Sequence, residues 1–345
     1  MKKKELQERP YDVIALGELL IDFTVYGKGK QGNSLFEANP GGAPCNVLAI
    51  LTKLGRKTAF IGKVGNDAFG HMLKERVSSL GIDTMALVMD EEIPTTLAFV
   101  QNKQNGERDF SFYRNPGADM MLRENEIEEE IFAKTKIFHF GTLSMTAEGV
   151  RKATQKSIET ASESGCILTF DPNLRLPLWA DEKMAKEAIH YGLSKCDVLK
   201  ISDNEIQFLF NTSDIEEGIK RIQTQYPGIK LILATMGMEG SYAYYKKQCI
   251  FQKAFIQNNT IDCTGAGDTF NGITIHYILE YGLDHLNEVK LQELLCHASA
   301  GAAIITTRPG ALCVMPDKDE IDELLEKYKN NTDKYYEEET DRGSK

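Results

Sequence analysis

The run Asp262-Cys263-Thr264-Gly265-Ala266-Gly267-Asp268-Thr269-Phe270-Asn271-Gly272 sets a carboxylate among glycines, just ahead of an amphipathic segment from Thr269 to Leu279. Glycines permit tight turns in which successive N–H groups converge on one anion. A helix opening at that point adds its positive end. Asp268 would repel a bound phosphate, so the simplest use for it beside an anion hole is to take a proton. Together these features suit phosphoryl transfer to a hydroxyl, with the amides of Gly265, Ala266 and Gly267 facing the moving charge. Its place at a helix start should keep Asp268 ionised. Taken alone, a Gly-rich turn before a helix is more often an ordinary loop. The P-loop pattern G-x-x-x-x-G-K-[ST] does not occur, so phosphate must be held in another way.

A second constellation lies early in the chain, Asn39-Pro40-Gly41-Gly42-Ala43-Pro44-Cys45-Asn46. Paired glycines let backbone approach a ligand, and Asn46 offers both a donor and an acceptor at a helix start. Without further context, an Asn cap on a loop explains this stretch equally well. The six histidines are dispersed and show no metal-ligand spacing; His139 ends an apolar run and reads as packed or ligand-adjacent rather than catalytic.

The elements that must position these groups alternate. Val13–Leu16, Thr58–Ile61, Ile137–Phe140, Ile167–Phe170, Val198–Ile201 and Leu231–Ala234 are short apolar runs suited to buried strands. Asn46–Leu54, Asp67–Leu80, Glu148–Ser164 and Lys183–Ser194 have helical spacing. Alternation of this kind predicts an α/β fold with a mostly parallel sheet flanked by helices, and ligands beyond the carboxyl ends of its strands. Asp22–Phe36 and Thr95–Tyr113 break the rhythm. The second reads as a hairpin about Asn105-Gly106. Both could form a small β-sheet outside the main layer and act as a lid. The polar, acidic segment 330–345 reads as a frayed tail.

Bulk composition narrows the partners. A chain of 345 residues, 42% hydrophobic and 26% charged, fits an ordinary globule. The net charge of −11 argues against a general nucleic-acid binder. Seven cysteines without a C-x-x-C pair read as reduced thiols of a cytoplasmic protein rather than metal ligands. The basic start Met1-Lys2-Lys3-Lys4 lacks the apolar core of a signal peptide, and no apolar run is long enough for a membrane span.

The spacing D-x-T-G-A-G-D-T-F resembles the C-terminal signature of the ribokinase-like (phosphofructokinase-B) sugar kinases. Gly41-Gly42 through Asn46, with Leu54-Gly55 and Ile61-Gly62-Lys63-Val64-Gly65-Asn66-Asp67-Ala68-Phe69-Gly70, resembles their N-terminal signature in the right order. Phe112-Tyr113-Arg114-Asn115-Pro116-Gly117-Ala118-Asp119-Met120, Ile137-Phe138-His139-Phe140-Gly141, and Asp171-Pro172-Asn173-Leu174-Arg175 with Leu178-Trp179 look like the fructokinase branch. The resemblance covers residues 11–328. It implies one α/β domain with a small β-sheet lid, inserted at about 22–36 and 95–113, and an ATP-dependent kinase making fructose 6-phosphate.

Residue by residue, the resemblance makes Asp268 the base and assigns Asp22, Gly41, Gly42 and Asn46 to the sugar, with Arg114 and Arg175 at its far end. Thr235-Met236-Gly237-Met238-Glu239-Gly240 is similar to the family's T-x-G-x-x-G turn, which puts Thr235, Gly237 and Gly240 near ATP. Ser202-Asp203-Asn204-Glu205 stands where many relatives have N-x-x-E, so Ser202 and Glu205 belong to the nucleotide site, with Glu205 reaching Mg²⁺ through water. A potassium ion would use Asp262, the Thr264 carbonyl and carbonyls near Ile305, Arg308 and Gly310. A hydroxyl often found in that site is lost at Val314. The lid segments could also join those of a second copy in a homodimer. A 2-keto-3-deoxygluconate kinase is the nearest rival; Asp119 disfavours it if that carboxylate faces the sugar. A catalytically inactive scaffold of the same fold is the rival from another class, and the retained Asp268, Gly265 and Gly267 speak against it.

Overall fold

The computed structural model describes residues 9–102 and 108–329. The turn expected over 103–107 and the tail over 330–345 lie outside the described residues. Strands are numbered in chain order. β1 (Tyr11–Leu16) leads into β2 (Leu20–Lys28) and β3 (Ser34–Gly41), then β4 (Thr58–Gly65), β5 (Ile82–Asp83) and β6 (Leu87–Asp90). β7 (Leu97–Asn102) and β8 (Arg108–Tyr113) precede β9 (Thr135–Phe140), β10 (Ile167–Phe170) and β11 (Val198–Ser202). β12 (Leu231–Thr235), β13 (Ser241–Tyr245) and β14 (Gln248–Gln252) complete the set.

The main sheet runs β14-β13-β12-β11-β10-β9-β1-β4-β5, with β6 also on β4. Pairing is parallel from β12 to β5, and antiparallel where β13 and β14 close one edge. The central strands are buried on both faces, which is why they read as unbroken apolar runs. In β1, Val13 and Ala15 enter one core layer while Ile14 and Leu16 enter the other. The second layer is anchored by stacked rings, Phe138 on Phe140 at 5.9 Å and Phe140 on Phe170 at 4.9 Å.

The helix expected over Thr269–Leu279 runs Ala266–Tyr281, and it is not a half-exposed amphipathic helix. Eight of its residues are buried. It crosses helix Ala43–Lys53 on one side and helix Glu288–Ile305 on the other. A Cβ on Gly272 would meet Ile50 Cγ2 at 2.3 Å, and one on Gly301 would meet Ile273 Cδ1 at 2.3 Å. The glycines allow close helix contacts, which hold the half-buried helix start in place.

The two segments outside the alternating pattern form a separate four-stranded sheet, β3-β2-β7-β8. β2 pairs antiparallel with β3 and parallel with β7, and β7 pairs antiparallel with β8. The sheet begins at Leu20 and its second strand ends at Gly41, so it is wider than the Asp22–Phe36 stretch expected. Phe23 stacks on Phe99 at 4.8 Å, and Phe36 and Tyr113 meet the same ring edge-on.

Candidate active site

Where β2 and β3 overhang the carboxyl ends of β10 and β11, a cleft of about 720 Å³ opens. Asp22, Gly41, Gly42 and Asn46 line it from the early part of the chain. Arg175, Ser202 and Glu205 line it from the middle, and Asp262, Thr264, Gly265, Gly267 and Asp268 from the late part. The topology thus brings both sequence constellations, some 220 residues apart, into one cavity.

Gly265 caps helix Ala266–Tyr281 with φ +79, a left-handed turn that suits glycine. Asp268 sits in the first turn of that helix. Asn46 Nδ2 donates to Asp268 Oδ2 at 2.8 Å. Asn46 is 4% exposed, and its Oδ1 is buried without a partner among the described residues. Burial pushes the Asp268 carboxyl up to about 6; the Asn46 bond, Lys200 and Arg175 oppose that shift and Asp171 adds to it. The helix start does not hold the Asp268 pKa down as expected: desolvation outweighs it, although the carboxyl stays mostly ionised at pH 7. Of the three amides expected to face the phosphoryl group, that of Ala266 already points at the Cys263 carbonyl at 3.3 Å, which makes it the least available.

Sequence reasoning missed Lys200, Asp171 and Glu18. Lys200 lies in β11, 8% exposed, and its Nζ meets Asp171 Oδ2 at 3.1 Å and Oδ1 at 3.2 Å. Burial favours neutral lysine, yet the surrounding charges of Asp171, Glu205 and Asp268 prevail and hold the Lys200 pKa above its ordinary value. A lone lysine in the apolar run Val198–Ile201 was the available signal, since such a residue must find a partner. Glu18 is 6% exposed, and its Oε1 accepts the Ala43 N–H at 2.9 Å. Burial pushes the Glu18 carboxyl up to about 7 against that bond.

The glycine pair has a steric reason. A Cβ on Gly41 would stand 2.3 Å from Asp22 Oδ2. Gly42 has φ +134, and a Cβ there would stand 2.3 Å from the Glu18 carbonyl. Arg175 reaches the cleft, but Arg114 does not line it. The Arg114 guanidinium is buried and paired with Asp119 at 2.6 Å, and it also donates to Thr146 Oγ1 and the Leu143 carbonyl. Asp119 faces Arg114 and the Thr96 hydroxyl, not the cleft. Both the expected sugar contact of Arg114 and the argument from Asp119 against an acidic sugar are corrected by this pair. His139 is packed as expected, with Nδ1 3.0 Å from Thr169 Oγ1 and its pKa lowered by burial to about 4.

On the nucleotide side, Ser202 caps helix Asp203–Phe210 and Glu205 closes the capping box. Glu205 Oε2 accepts the Ser202 N–H at 2.8 Å and Oε1 accepts the Leu174 N–H at 2.9 Å. Thr235, Gly237 and Gly240 do not line the cleft. Thr235 pairs with Ser202 across β12 and β11, so their turn stands at the adjoining strand end. Gly237 and Gly240 have φ +54 and +125. Asp262 Oδ1 accepts the Thr264 N–H at 2.7 Å, and Oδ2 accepts the Gly310 N–H at 3.3 Å. No group of three or more His, Cys, Asp or Glu side chains among the described residues is arranged to hold a metal ion. No helix among them is long and apolar enough to cross a membrane.

The chain is similar to known proteins over most of its length. The model of the pfkB family carbohydrate kinases matches residues 11–318. Fructokinase-2 of Solanum lycopersicum is 39% identical over 315 residues, which are 91% of this chain and 95% of that one. The crystal structure of a fructokinase with bound ATP from Xylella fastidiosa superposes with a TM-score of 0.83 at 29% identity, covering 92% of this chain and 99% of its own. A fructokinase double mutant from Vibrio cholerae O395, with fructose, ADP and potassium ion bound, gives 0.81 at 27% identity, covering 92% and 99%.

Proposed function

The chain belongs to the pfkB family of carbohydrate kinases, and from that premise we propose that it transfers the γ-phosphoryl group of ATP to the 6-hydroxyl of D-fructose. The observation that carries the reading is the Asn46–Asp268 contact inside the cleft: one side chain orients the base and keeps a buried acceptor free for the sugar. The bond from the sugar O6 to phosphorus forms, the bond from phosphorus to the β,γ-bridging oxygen breaks, and the hydroxyl proton passes to Asp268. A base with pKa about 6 is about nine-tenths ionised at pH 7 and more basic than an ordinary aspartate. The transition state is loose, so the proton can leave late. The amides of Gly265 and Gly267 would face the charge that develops.

Asp22, Gly41, Gly42 and Asn46 hold the sugar hydroxyls, and Arg175 approaches its far end. Ser202, Glu205, Thr235, Gly237 and Gly240 serve ATP. Glu205, its oxygens already accepting the Ser202 and Leu174 amides, would hold Mg²⁺ through water rather than by direct ligation, and the ion would supply charge neutralisation at the phosphates. Asp262 and the Thr264 carbonyl would hold a monovalent cation. The Val314 carbonyl is less suited, because Arg308 Nη1 already donates to it at 2.9 Å.

The small sheet is the lid, and its exposed Tyr26 and Tyr113, at 75% and 65%, suit burial against the same sheet of a second copy. A coupled ADP-release assay over fructose, glucose, ribose and 2-keto-3-deoxygluconate tests the substrate. Fructose should give the highest kcat/KM. Preference for the keto-acid, abolished by Arg175→Ala, would replace this reading with the rival kinase. Light scattering after size exclusion tests the dimer.

A further inference from the structure

Lys200 has no role in the mechanism above, yet it lines the cleft. Its ammonium is 3.1 Å from Asp171 Oδ2, and a Cβ on Gly267 would stand only 3.2 Å from Nζ. The bare Gly267 position therefore leaves nothing between the ammonium and the helix start where the phosphoryl group would settle. An ammonium has three protons, and chelation by the two Asp171 oxygens uses at most two. At least one is left for the cleft. The charges of three carboxylates, Asp171, Glu205 and Asp268, act on this cation. A phosphate entering among them needs a positive contact fixed in the protein, besides Mg²⁺ and the helix end.

We propose that Lys200 is a further catalytic residue, oriented by Asp171, whose ammonium donates a hydrogen bond to the phosphoryl group during transfer. It moves no proton: the hydroxyl proton still goes to Asp268, and Lys200 stays charged throughout. The inference rests on the kinase reading, but it concerns the γ-phosphoryl group and not the choice of sugar.

The test separates the two. Binding of MgADP and of a magnesium complex of an ATP analogue with a non-cleavable β,γ-bridge is measured calorimetrically on wild type and Lys200→Met. The analogue should bind the variant about 10- to 100-fold more weakly, the loss expected for one hydrogen bond to a charged group, while ADP changes less than about 3-fold. The kcat for fructose should fall at least as far as the analogue's affinity. Equal losses for both nucleotides, or no loss for either, would overturn the proposal and leave Lys200 a structural partner of Asp171. Should Lys200→Met not fold, the wild type in crystals with MgADP, fructose and aluminium fluoride decides: Nζ within hydrogen-bond distance of a fluoride supports the contact, and separation beyond 4 Å removes it. Failure of the substrate reading looks different. Wild type would then turn over no fructose, while the analogue-over-ADP preference still depended on Lys200.

Discussion

Asn46 and Asp268, 222 positions apart, are joined by a 2.8 Å hydrogen bond across the floor of the cleft. The bond favours the ionised carboxyl, and burial disfavours it more strongly. Replacing Asn46 with alanine removes the favourable part. The acid limb of the kcat/KM–pH profile, expected near pH 6 in the wild type, should move to higher pH, and KM for fructose should rise as well. A limb that stays in place while KM rises would mean that Asn46 serves the sugar only.

Asp268→Asn should lower kcat by about 10²–10⁴, the range for loss of a general base. The same change should stabilise the fold in alkali. A carboxyl whose folded pKa is raised, here from about 3.8 to about 6, costs stability where it is ionised. The cost is full above pH 6 and fades as pH falls through 6 towards the unfolded value. At about 1.4 kcal/mol per pKa unit, the variant should gain up to about 3 kcal/mol at pH 8 and only about 0.5 kcal/mol at pH 4. Urea melts at both pH values check this, and an equal effect at both would contradict the burial argument.

These two residues also show what the sequence can and cannot disclose. Asp268 and Asn46 were legible because glycine turns and helix starts are local features, and two such signatures in order leave little room for coincidence. The strands were legible because sheet interiors demand unbroken apolar runs. What escaped notice depends on contacts between distant segments. Whether Arg114 turns to the sugar or to Asp119 is decided by the packing of Leu143 and Thr146 around it. The raised Asp268 pKa depends on how deeply its helix is enclosed by two others. Lys200 becomes significant only once β10 delivers Asp171 beside it.

Arg114 and Asp119 should behave as a buried ion pair, side chains 3% and 2% exposed. Arg114→Leu leaves Asp119 charged and unpaired, which should cost about 3–5 kcal/mol, while Arg114→Leu with Asp119→Leu should recover most of that loss. Thermal melts of the single and double variants measure it. Relative kcat/KM values across sugars should stay unchanged in any variant that folds. A selective loss for one sugar would return Arg114 to the binding site.

Substrate positioning is tested most directly at Gly41 and Asp22. β2 and β3 pair so that Leu20 lies opposite Gly41, which leaves the Asp22 carboxylate against the bare Gly41 Cα. Gly41→Ala would place a methyl group 2.3 Å from Asp22 Oδ2, so the carboxylate must swing away. Asp22→Ala removes it outright. Both changes should raise KM for fructose. Losing hydrogen bonds to a charged group is worth roughly 1.5–3 kcal/mol, or about one to two decades in kcat/KM. The affinity for MgADP should change little, because the nucleotide residues come from β11, β12 and the turn after them. Gly41→Ala in the Asp22→Ala background should then add almost nothing, since the two changes act through one contact. Additive losses would show that Gly41 serves the sugar through its backbone, independently of Asp22.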